Sequence, residues 1–384
     1  MSAGRKKSPD PNSEARGGAE FASASVTGQA LSVSPGTVSP GNVSPASNTK
    51  SRLKDLSVDE LAEGILSGDR VILGRAITLI ESAHPAHARK ALELLERVLP
   101  HSGRSVRVGI TGVPGVGKST FIEALGLHLT ARGFRLAVLA IDPSSRISKG
   151  SIMGDKTRME RLSADPAAFI RPSPSAGSLG GVARKTREAM LVCEAAGFDA
   201  VFVETVGVGQ SETVVHSMVD FFLLLMLAGA GDQLQGIKRG IMELADAVVI
   251  NKADGDNIMA ARRARGDYEM ALHLMRPPSP DWSPPVLTCS SLTAEGIEGV
   301  WDTITRFRTT MSANGALEQR RKTQSRDWME DTIHDSLRDR FKAHPRVAAL
   351  LPDLERRVLD GTLPAVSAAQ QLLDAFFTEK HGKE

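Results

Sequence analysis

Seven short apolar runs alternate with amphipathic segments along the middle of the chain. Val, Ile, Leu and Phe are frequent in these runs, and most of the intervening segments are long enough for a crossover helix. Buried apolar strands that alternate with helices are typical of a mostly parallel sheet covered by helices on both faces. We therefore predict an α/β fold with strands at 106–111, 135–141, 167–171, 199–204, 220–227, 246–251 and 284–290. Ligands of such sheets bind at the carboxyl ends of the strands.

The regions on either side of these runs follow other patterns. Residues 1–50 are rich in Ser, Pro and Gly, which predicts a disordered leader or, as the alternative, a docking tail for a partner. Residues 51–103 carry apolar positions at helical spacing, and Ser57 followed by Glu60 resembles a capping box. Residues 313–384 are again helical in pattern, which suits a covering helix and a dimerisation arm equally well. The sheet domain is thereby assigned to residues 104–312.

Composition and charge narrow the class of protein. The chain has 384 residues, with 47 Lys and Arg against 45 Asp and Glu, so charge gives no general reason to bind nucleic acid or an anionic membrane. Its two cysteines, Cys193 and Cys289, exclude a disulfide scaffold and a zinc ribbon, and buried neutral thiols are the expectation for both. The longest apolar run, residues 221–231, is shorter than the ~20 residues that span a bilayer. Acidic residues in the leader argue against a transit peptide, so we expect the bacterial cytoplasm first and the mitochondrial matrix second.

A phosphate-binding loop follows the first predicted strand. The sequence GVPGVGKST matches GxxxxGK[ST], with a strand before it and a helix after it, which is the context that makes this motif specific. Its backbone N–H groups and the helix N-terminus would bind phosphate, Lys118 would reach the β- and γ-phosphates, and Ser119 would ligate Mg²⁺. The predicted phosphate-binding residues are Gly112, Val113, Pro114, Gly115, Val116, Gly117, Lys118, Ser119 and Thr120.

Acidic residues end two of the other strands. Asp142 and Glu204 are candidate magnesium ligands, with a helix N-cap or a solvated strand end as the alternative. Gly207 follows Glu204 in an ExxG pattern and would offer its N–H to the γ-phosphate. Chemistry alone leaves open whether Asp155, in a Gly- and Ser-rich segment, contacts the metal. Because Val208 stands where a water-orienting Gln is usual, we expect slow intrinsic hydrolysis and acceleration by a rearrangement or a partner.

The sequence NKAD, at the end of the sixth strand, predicts a guanine-specific pocket. One carboxylate of Asp254 can accept from both N1–H and the N2 amine of guanine, whereas adenine would leave it unpaired. Lys252 would lie along the base, and Asn251 would tie this loop to the phosphate loop. A backbone contact to guanine O6 is expected from a later strand end, at Ser290, Ser291 and Leu292.

Together, these motifs identify a family. The phosphate loop, AIDPSS (140–145), GSIMGDKTRM (150–159), RPSPSAGSLGG (171–181), ETVGVGQSE (204–212), GDQLQGIKRG (231–240) and NKADGDN (251–257) resemble the MeaB/ArgK family of P-loop GTPases over roughly residues 53–375.

This resemblance implies a GTPase chaperone, usually a homodimer held by its C-terminal helices. Its client would be an adenosylcobalamin-dependent acyl-CoA mutase, chiefly methylmalonyl-CoA mutase, with the cobalamin adenosyltransferase as a further partner. It also implies that four residues bind magnesium and form the nucleotide-dependent switch, namely Ser119, Asp142, Asp155 and Glu204.

The resemblance further implies an additional switch loop that contains Gln233, Gln235 and Lys238. Lys238 would stabilise transition-state charge there, so the implied catalytic set is Lys118, Asp155, Glu204 and Lys238. Without the resemblance, the local sequence favours a different interpretation, in which Lys238 is a solvent-exposed lysine at the start of a helix.

Three other functions compete with this interpretation. A nickel-insertion GTPase would call for a Cys/His site, and the nine histidines are scattered, with no CxxC or His-rich tract. A phosphotransferase would need an acceptor loop, which is not evident in the sequence. In an interaction module, GTP turnover would be incidental, and the switch carboxylates argue against that.

Overall fold

The computed structural model describes residues 56–82, 84–142, 159–174, 179–205, 211–229, 239–275, 277, 279 and 281–378. The predicted leader at 1–50 lies outside the described residues. No helix in the described part of the chain has the length and apolar character needed to cross a membrane.

All seven predicted strands are present, and they form one parallel sheet. The strands are β1 (Val106–Gly112), β2 (Leu136–Asp142), β3 (Ala168–Pro174), β4 (Ala200–Thr205), β5 (Phe221–Leu227), β6 (Ala247–Asn251) and β7 (Val286–Thr288). Their order across the sheet is β3-β2-β4-β1-β5-β6-β7, which places β1 at the centre. Every residue of β4 and β6 is buried, and because successive side chains point to opposite faces, both faces of the sheet are covered.

Strand β7 is shorter than its predicted span of 284–290. Pro284 and Pro285 have no N–H to donate to a neighbouring strand, which is why the pairing begins at Val286. Beyond Thr288, the chain turns into the loop that holds Ser290 and Ser291, and this loop belongs to the candidate site.

Helices connect the strands and extend the fold at both ends. They are α1 (Val58–Leu66), α2 (Arg70–Glu81), α3 (Pro85–Val98), α4 (Lys118–Ala131), α5 (Glu160–Ala164), α6 (Leu179–Ala195), α7 (Ser211–His216), α8 (Arg239–Met242), α9 (Ile258–His273), α10 (Ile297–Ala313), α11 (Ala316–Ala343), α12 (Pro345–Leu359) and α13 (Ala365–Phe377). The capping box at the start of α1 is confirmed, because Ser57 Oγ accepts from Glu60 N and Glu60 Oε2 accepts from Ser57 N.

Helices α1–α3 pack against α6, and their apolar side chains join the same hydrophobic core as the sheet. Ile65, Ile77 and Leu94 are fully buried members of that core. The domain boundary drawn at residues 103 and 104 remains a prediction.

Two arginines fasten α11 to the amino-terminal edge of the sheet. Arg321 donates from Nε and Nη2 to the carboxylate of Asp220 at 2.7 and 2.6 Å, and Arg320 donates to both carboxylate oxygens of Asp246 at 3.2 and 3.3 Å. Asp246 is fully buried, which raises its pKa, and the charge of Arg320 opposes that rise. The first part of α11 therefore covers the sheet on the edge opposite the strand carboxyl ends.

The rest of the C-terminal segment has a small core of its own. Val347, Leu354, Ala368 and Leu372 form a separate cluster between α12 and α13, and Phe341 at the end of α11 packs against it. Further back along α11, three apolar side chains remain exposed at i, i+4 and i+8, namely Met329, Ile333 and Leu337. We call these three residues the apolar stripe.

Candidate functional site

The loop between β1 and α4 has the backbone of a phosphate-binding loop. Gly115 and Gly117 have φ of +75° and +89°, a region that favours glycine. A Cβ on Gly112 would lie 2.4 Å from the carbonyl oxygen of Leu225, so only glycine fits beside β5. Gly117 is also the N-cap of α4 and has no side chain to cap the first N–H groups of the helix. These groups can bind an anion, and the positive end of the helix dipole would add to that binding.

Lys118 extends back over this loop and donates from Nζ to the carbonyl oxygen of Gly112 at 2.9 Å. Burial lowers the pKa of its ammonium, and the carboxylates of Glu204 and Glu212 oppose that shift. The charges of two acidic groups thus act on this ammonium.

Glu204 and Ser119, two of the candidate magnesium ligands, meet beside the loop. Ser119 Oγ donates to Glu204 Oε1 at 3.2 Å, and Glu204 is buried near the end of β4. The next residue, Thr205, donates to Thr111 Oγ1 at 2.8 Å and so fixes the end of β4 against β1. A buried carboxylate and a hydroxyl are hard oxygen donors, which suits the preference of Mg²⁺.

Asn251 joins the phosphate loop to the NKAD loop, residues 251–254, which follows β6. Its Nδ2 donates to the carbonyl oxygen of Val116 at 2.8 Å, and its Oδ1 accepts from both the backbone N and the Oγ of Ser291 at 3.1 and 2.8 Å. The thiol of Cys289 donates to the same Oδ1 over 3.5 Å, and burial raises the pKa of this thiol to about 12. Asn251 thus holds three loops in register at the carboxyl edge of the sheet.

Asp254 is oriented from the neighbouring loop. Ser290 Oγ donates to Asp254 Oδ2 at 2.5 Å and itself accepts from the backbone N of Thr293 at 3.1 Å. Lys252 is exposed and has a φ of +60°, which is uncommon for a residue with a Cβ. Leu292 is also exposed, and the contact predicted for it is one of the backbone.

Several predicted site residues cannot be placed in this geometry. Asp155, Gly207, Gln233, Gln235 and Lys238 lie outside the described residues, as does the side chain of Asp142. The backbone of Asp142 ends β2 at the same edge of the sheet as Glu204. Among the described residues there is no group of three or more His, Cys, Asp or Glu side chains that could hold a metal ion.

Sequence reasoning missed two residues of the site. Glu212 is fully buried in α7 and acts on the ammonium of Lys118, although the sequence places it only within the ETVGVGQSE segment. Cys289 was expected only to pack, and its thiol also contacts Asn251. The one available signal for Glu212 was an acidic residue in the first turn of a helix that follows the γ-phosphate loop.

The chain is similar to known GTPases over most of its length. The family described as "Methylmalonyl Co-A mutase-associated GTPase MeaB" matches residues 73–346. A putative GTPase of Caulobacter vibrioides is 59% identical over 321 residues, which is 84% of this chain and 98% of that protein. The mitochondrial methylmalonic aciduria type A homolog of Mus musculus is 49% identical over 329 residues, which is 83% of this chain and 79% of that protein. A crystal structure of a LAO/AO transport system kinase matches with a TM-score of 0.67 and 41% identity, covering 84% of this chain and 98% of that one.

Proposed function

The chain belongs to the MeaB family of GTPases, and from this premise we propose that it is a GTP-hydrolysing chaperone of an adenosylcobalamin-dependent acyl-CoA mutase. The proposed client is methylmalonyl-CoA mutase, whose cofactor loading the chaperone gates and which it protects or reactivates. The match over residues 73–346 to a family described as associated with that mutase carries the proposal. The cobalamin adenosyltransferase is a further proposed partner, and the bacterial relative supports a bacterial cytoplasm as the compartment.

We assign nucleotide binding to the three loops that Asn251 joins. The N–H groups at the start of α4 bind the phosphates, and the ammonium of Lys118 transfers from the carbonyl of Gly112 to the β- and γ-phosphates. Asp254 accepts from N1–H and N2 of guanine, and Ser290 holds the carboxylate in place for that contact. ATP is disfavoured because adenine offers the Asp254 carboxylate neither of the two donors that guanine supplies.

Ser119 and Glu204 fit a magnesium ion that accompanies the nucleotide, and Asp142 and Asp155 complete the proposed set. Mg²⁺ would neutralise charge that develops on the phosphate oxygens during hydrolysis. The chain's own part is to present the Ser119 hydroxyl and the Glu204 carboxylate 3.2 Å apart at one side of the phosphate loop. Gly207 would donate its N–H to the γ-phosphate.

Hydrolysis by the chain alone is slow in this proposal, because Val208 stands in place of a water-orienting Gln. Partner binding would order the loop that contains Gln233, Gln235 and Lys238, and the Lys238 ammonium would then stabilise transition-state charge. A Lys238→Ala variant is expected to keep basal turnover and to lose stimulation by the partner. Equal loss of both activities would place Lys238 in the resting site instead.

The apolar stripe supports a homodimer. Met329, Ile333 and Leu337 leave 58%, 49% and 55% of their surface exposed on one face of α11. Residues at i, i+4 and i+8 lie along one side of a helix, and the same side of a second copy would cover them. Dimerisation would bury apolar surface that is otherwise in contact with water.

The decisive experiment is GTP turnover by the purified chain, alone and with methylmalonyl-CoA mutase from the same organism. We expect slow basal release of phosphate and a large increase with the mutase. A matched control is the same mixture with a Lys118→Ala chain, because any phosphate that remains comes from a contaminant. Basal turnover that no acyl-CoA mutase changes would retain the GTPase and refute the client.

A further inference from the structure

Arg187 of α6 joins two helices that are far apart in sequence. Its Nη2 donates to the Oγ and the carbonyl oxygen of Ser217 at 2.5 and 3.2 Å, directly after α7. On its other side, the guanidinium carbon lies 5.9 Å from the ring centre of Trp328, and Nη1 lies 3.9 Å from Asp331 Oδ2. Trp328 and Asp331 both belong to α11, so one buried side chain connects α7 to α11.

Helix α7 also contacts the nucleotide site. Val215 packs so closely on β1 that a Cβ on Gly109 would lie 2.7 Å from its Cγ1. Glu212, in the same short helix, is buried and acts electrostatically on Lys118 of the phosphate loop. The contact of Val215 with β1, the strand that ends in the phosphate loop, therefore links nucleotide binding to α7.

In the part of the chain that the structure describes, two buried hydrogen-bond donors lack an acceptor where α6, α7 and α11 meet. A cavity of about 260 Å³ lies between α6, α7 and α11, lined in part by Arg187, Ser217 and Trp328. Arg187 Nε and Trp328 Nε1 are buried there and have no hydrogen-bond partner among the described residues. Buried donors without acceptors cost free energy, so a rearrangement that supplies acceptors would be favoured. The cavity gives the side chains room for it.

We propose that Arg187 is a positioning residue that couples the phosphate loop to α11, so that nucleotide binding changes the packing of Trp328 and, with it, the presentation of the apolar stripe. Met329 is the neighbour of Trp328, and Ile333 lies one turn further along the same helix. The coupling works in both directions, because a partner bound to α11 then alters α7 by the same free energy. The stimulation of hydrolysis by a partner, which rests on the proposed function, would use this route.

Trp328 supplies the spectroscopic test. Tryptophan emission is recorded for the full chain and for its Trp328→Phe variant, with Mg²⁺ and no nucleotide, with GDP, or with a non-hydrolysable GTP analogue. The difference between the two chains reports Trp328, because Trp282 and Trp301 are common to both. We expect this difference to depend on the nucleotide. Identical Trp328 emission in all three conditions would overturn the coupling.

Substitution of Arg187 tests the residue itself. Arg187→Ala should bind GTP with a dissociation constant within about twofold of the parent and lose the Trp328 response, since an unchanged affinity within experimental scatter excludes general misfolding. Arg187→Lys keeps the charge without the planar fork and should restore only part of the response. The matched control is Arg326→Ala on α11, whose exposed side chain pairs with Asp327 and should leave the response intact. A full response in Arg187→Ala would refute the assignment.

One further readout needs no variant and keeps the proposal testable if Arg187→Ala does not fold. Amide hydrogen exchange of the unmodified chain over residues 325–337 should change when the GTP analogue replaces GDP, and unchanged exchange there would count against the coupling. With the mutase present, Arg187→Ala should lower the effect of the GTP analogue on mutase affinity by a factor of about 5 to 150, the usual range of coupling between two binding sites. A nucleotide-dependent Trp328 signal without any mutase stimulation would keep the coupling and reject the client. An undiminished effect of the mutase on Arg187→Ala would keep the client and reject the coupling.

Discussion

The amide of Asn251 donates a hydrogen bond of 2.8 Å to the carbonyl of Val116, and this contact joins the NKAD loop to the phosphate loop. Both residues are buried, and they are 135 positions apart in the chain. The two loops that we assign to nucleotide binding are thus held together by the protein before any ligand bridges them, which would lower the ordering cost of binding.

Replacement of Asn251 by Asp should loosen this connection. The variant loses the donor to Val116 and turns a buried carboxylate towards a carbonyl oxygen, which is expected to lower the free energy of unfolding by about 1–3 kcal/mol. Urea unfolding of the parent and the variant measures the difference. Asn257→Asp is the control, because Asn257 donates to the exposed Lys252, whose carbonyl water can satisfy. An equal decrease in the free energy of unfolding of the two variants would mean that the buried contact stabilises the fold no more than the exposed one.

Replacement of Asp254 by Asn should change the base that is preferred. The amide can no longer accept two hydrogen bonds from guanine, and it can donate to the O2 of xanthine. Loss of one hydrogen bond to a charged group costs about 1.5–3 kcal/mol, so GTP affinity should fall about 10- to 100-fold while XTP affinity rises. Competition titrations with GTP and XTP measure both. Asp256→Asn, in the same loop, should leave the preference unchanged, and an unchanged preference in Asp254→Asn would refute the base assignment.

Replacement of Ile333 by Asp should dissociate the proposed homodimer. A carboxylate in the centre of the apolar stripe would have to be buried in the dimer, whereas in the monomer it is exposed at little cost. Light scattering after size-exclusion chromatography should find a monomer for this variant and a dimer for the parent. Met270→Asp, at an exposed apolar position on α9, is the matched control. A dimeric Ile333→Asp chain would place the interface elsewhere.

His216, the last residue of α7, should make stability depend on pH. Burial and the charge of Arg320 lower its pKa from 6.5 to about 4, so between these values the unfolded chain binds a proton that the folded chain does not. Its contribution is therefore present above pH 6.5 and is lost as the pH falls towards 4, by up to about 3 kcal/mol. The midpoint of urea unfolding from pH 7 to pH 5 measures this loss. His216→Gln should show a shallower dependence, and parallel curves for the two chains would contradict the assignment.

The sequence was sufficient for the parts of the molecule that local patterns encode. Apolar runs predicted all seven strands, and the Ser57–Glu60 pair predicted the start of α1. The contact of Asn251 with the phosphate loop was also predictable, because both motifs end strands and strand ends meet at one edge of a parallel sheet.

Contacts between segments with no recognisable motif were not predictable. From the sequence, Asp246 is only the first residue of a predicted strand, and its partner Arg320 lies 74 positions away on a helix with no apolar pattern at that point. Arg187 likewise looks like one of several basic residues of α6. Only the packing of three helices around it shows that it is buried between α7 and α11.

The pairing of Asp220 and Asp246 with α11 has a consequence for synthesis of the chain. Both acids precede β5 and β6, yet the arginines that neutralise them are translated 101 and 74 residues later. A nascent chain that has released the whole sheet from the ribosome but not yet residue 321 would have to bury two carboxylates without counter-charges, which is strongly unfavourable. The amino-terminal edge of the sheet is therefore not completed before Arg320 and Arg321 have been synthesised, and a chain truncated before α11 lacks these two cations.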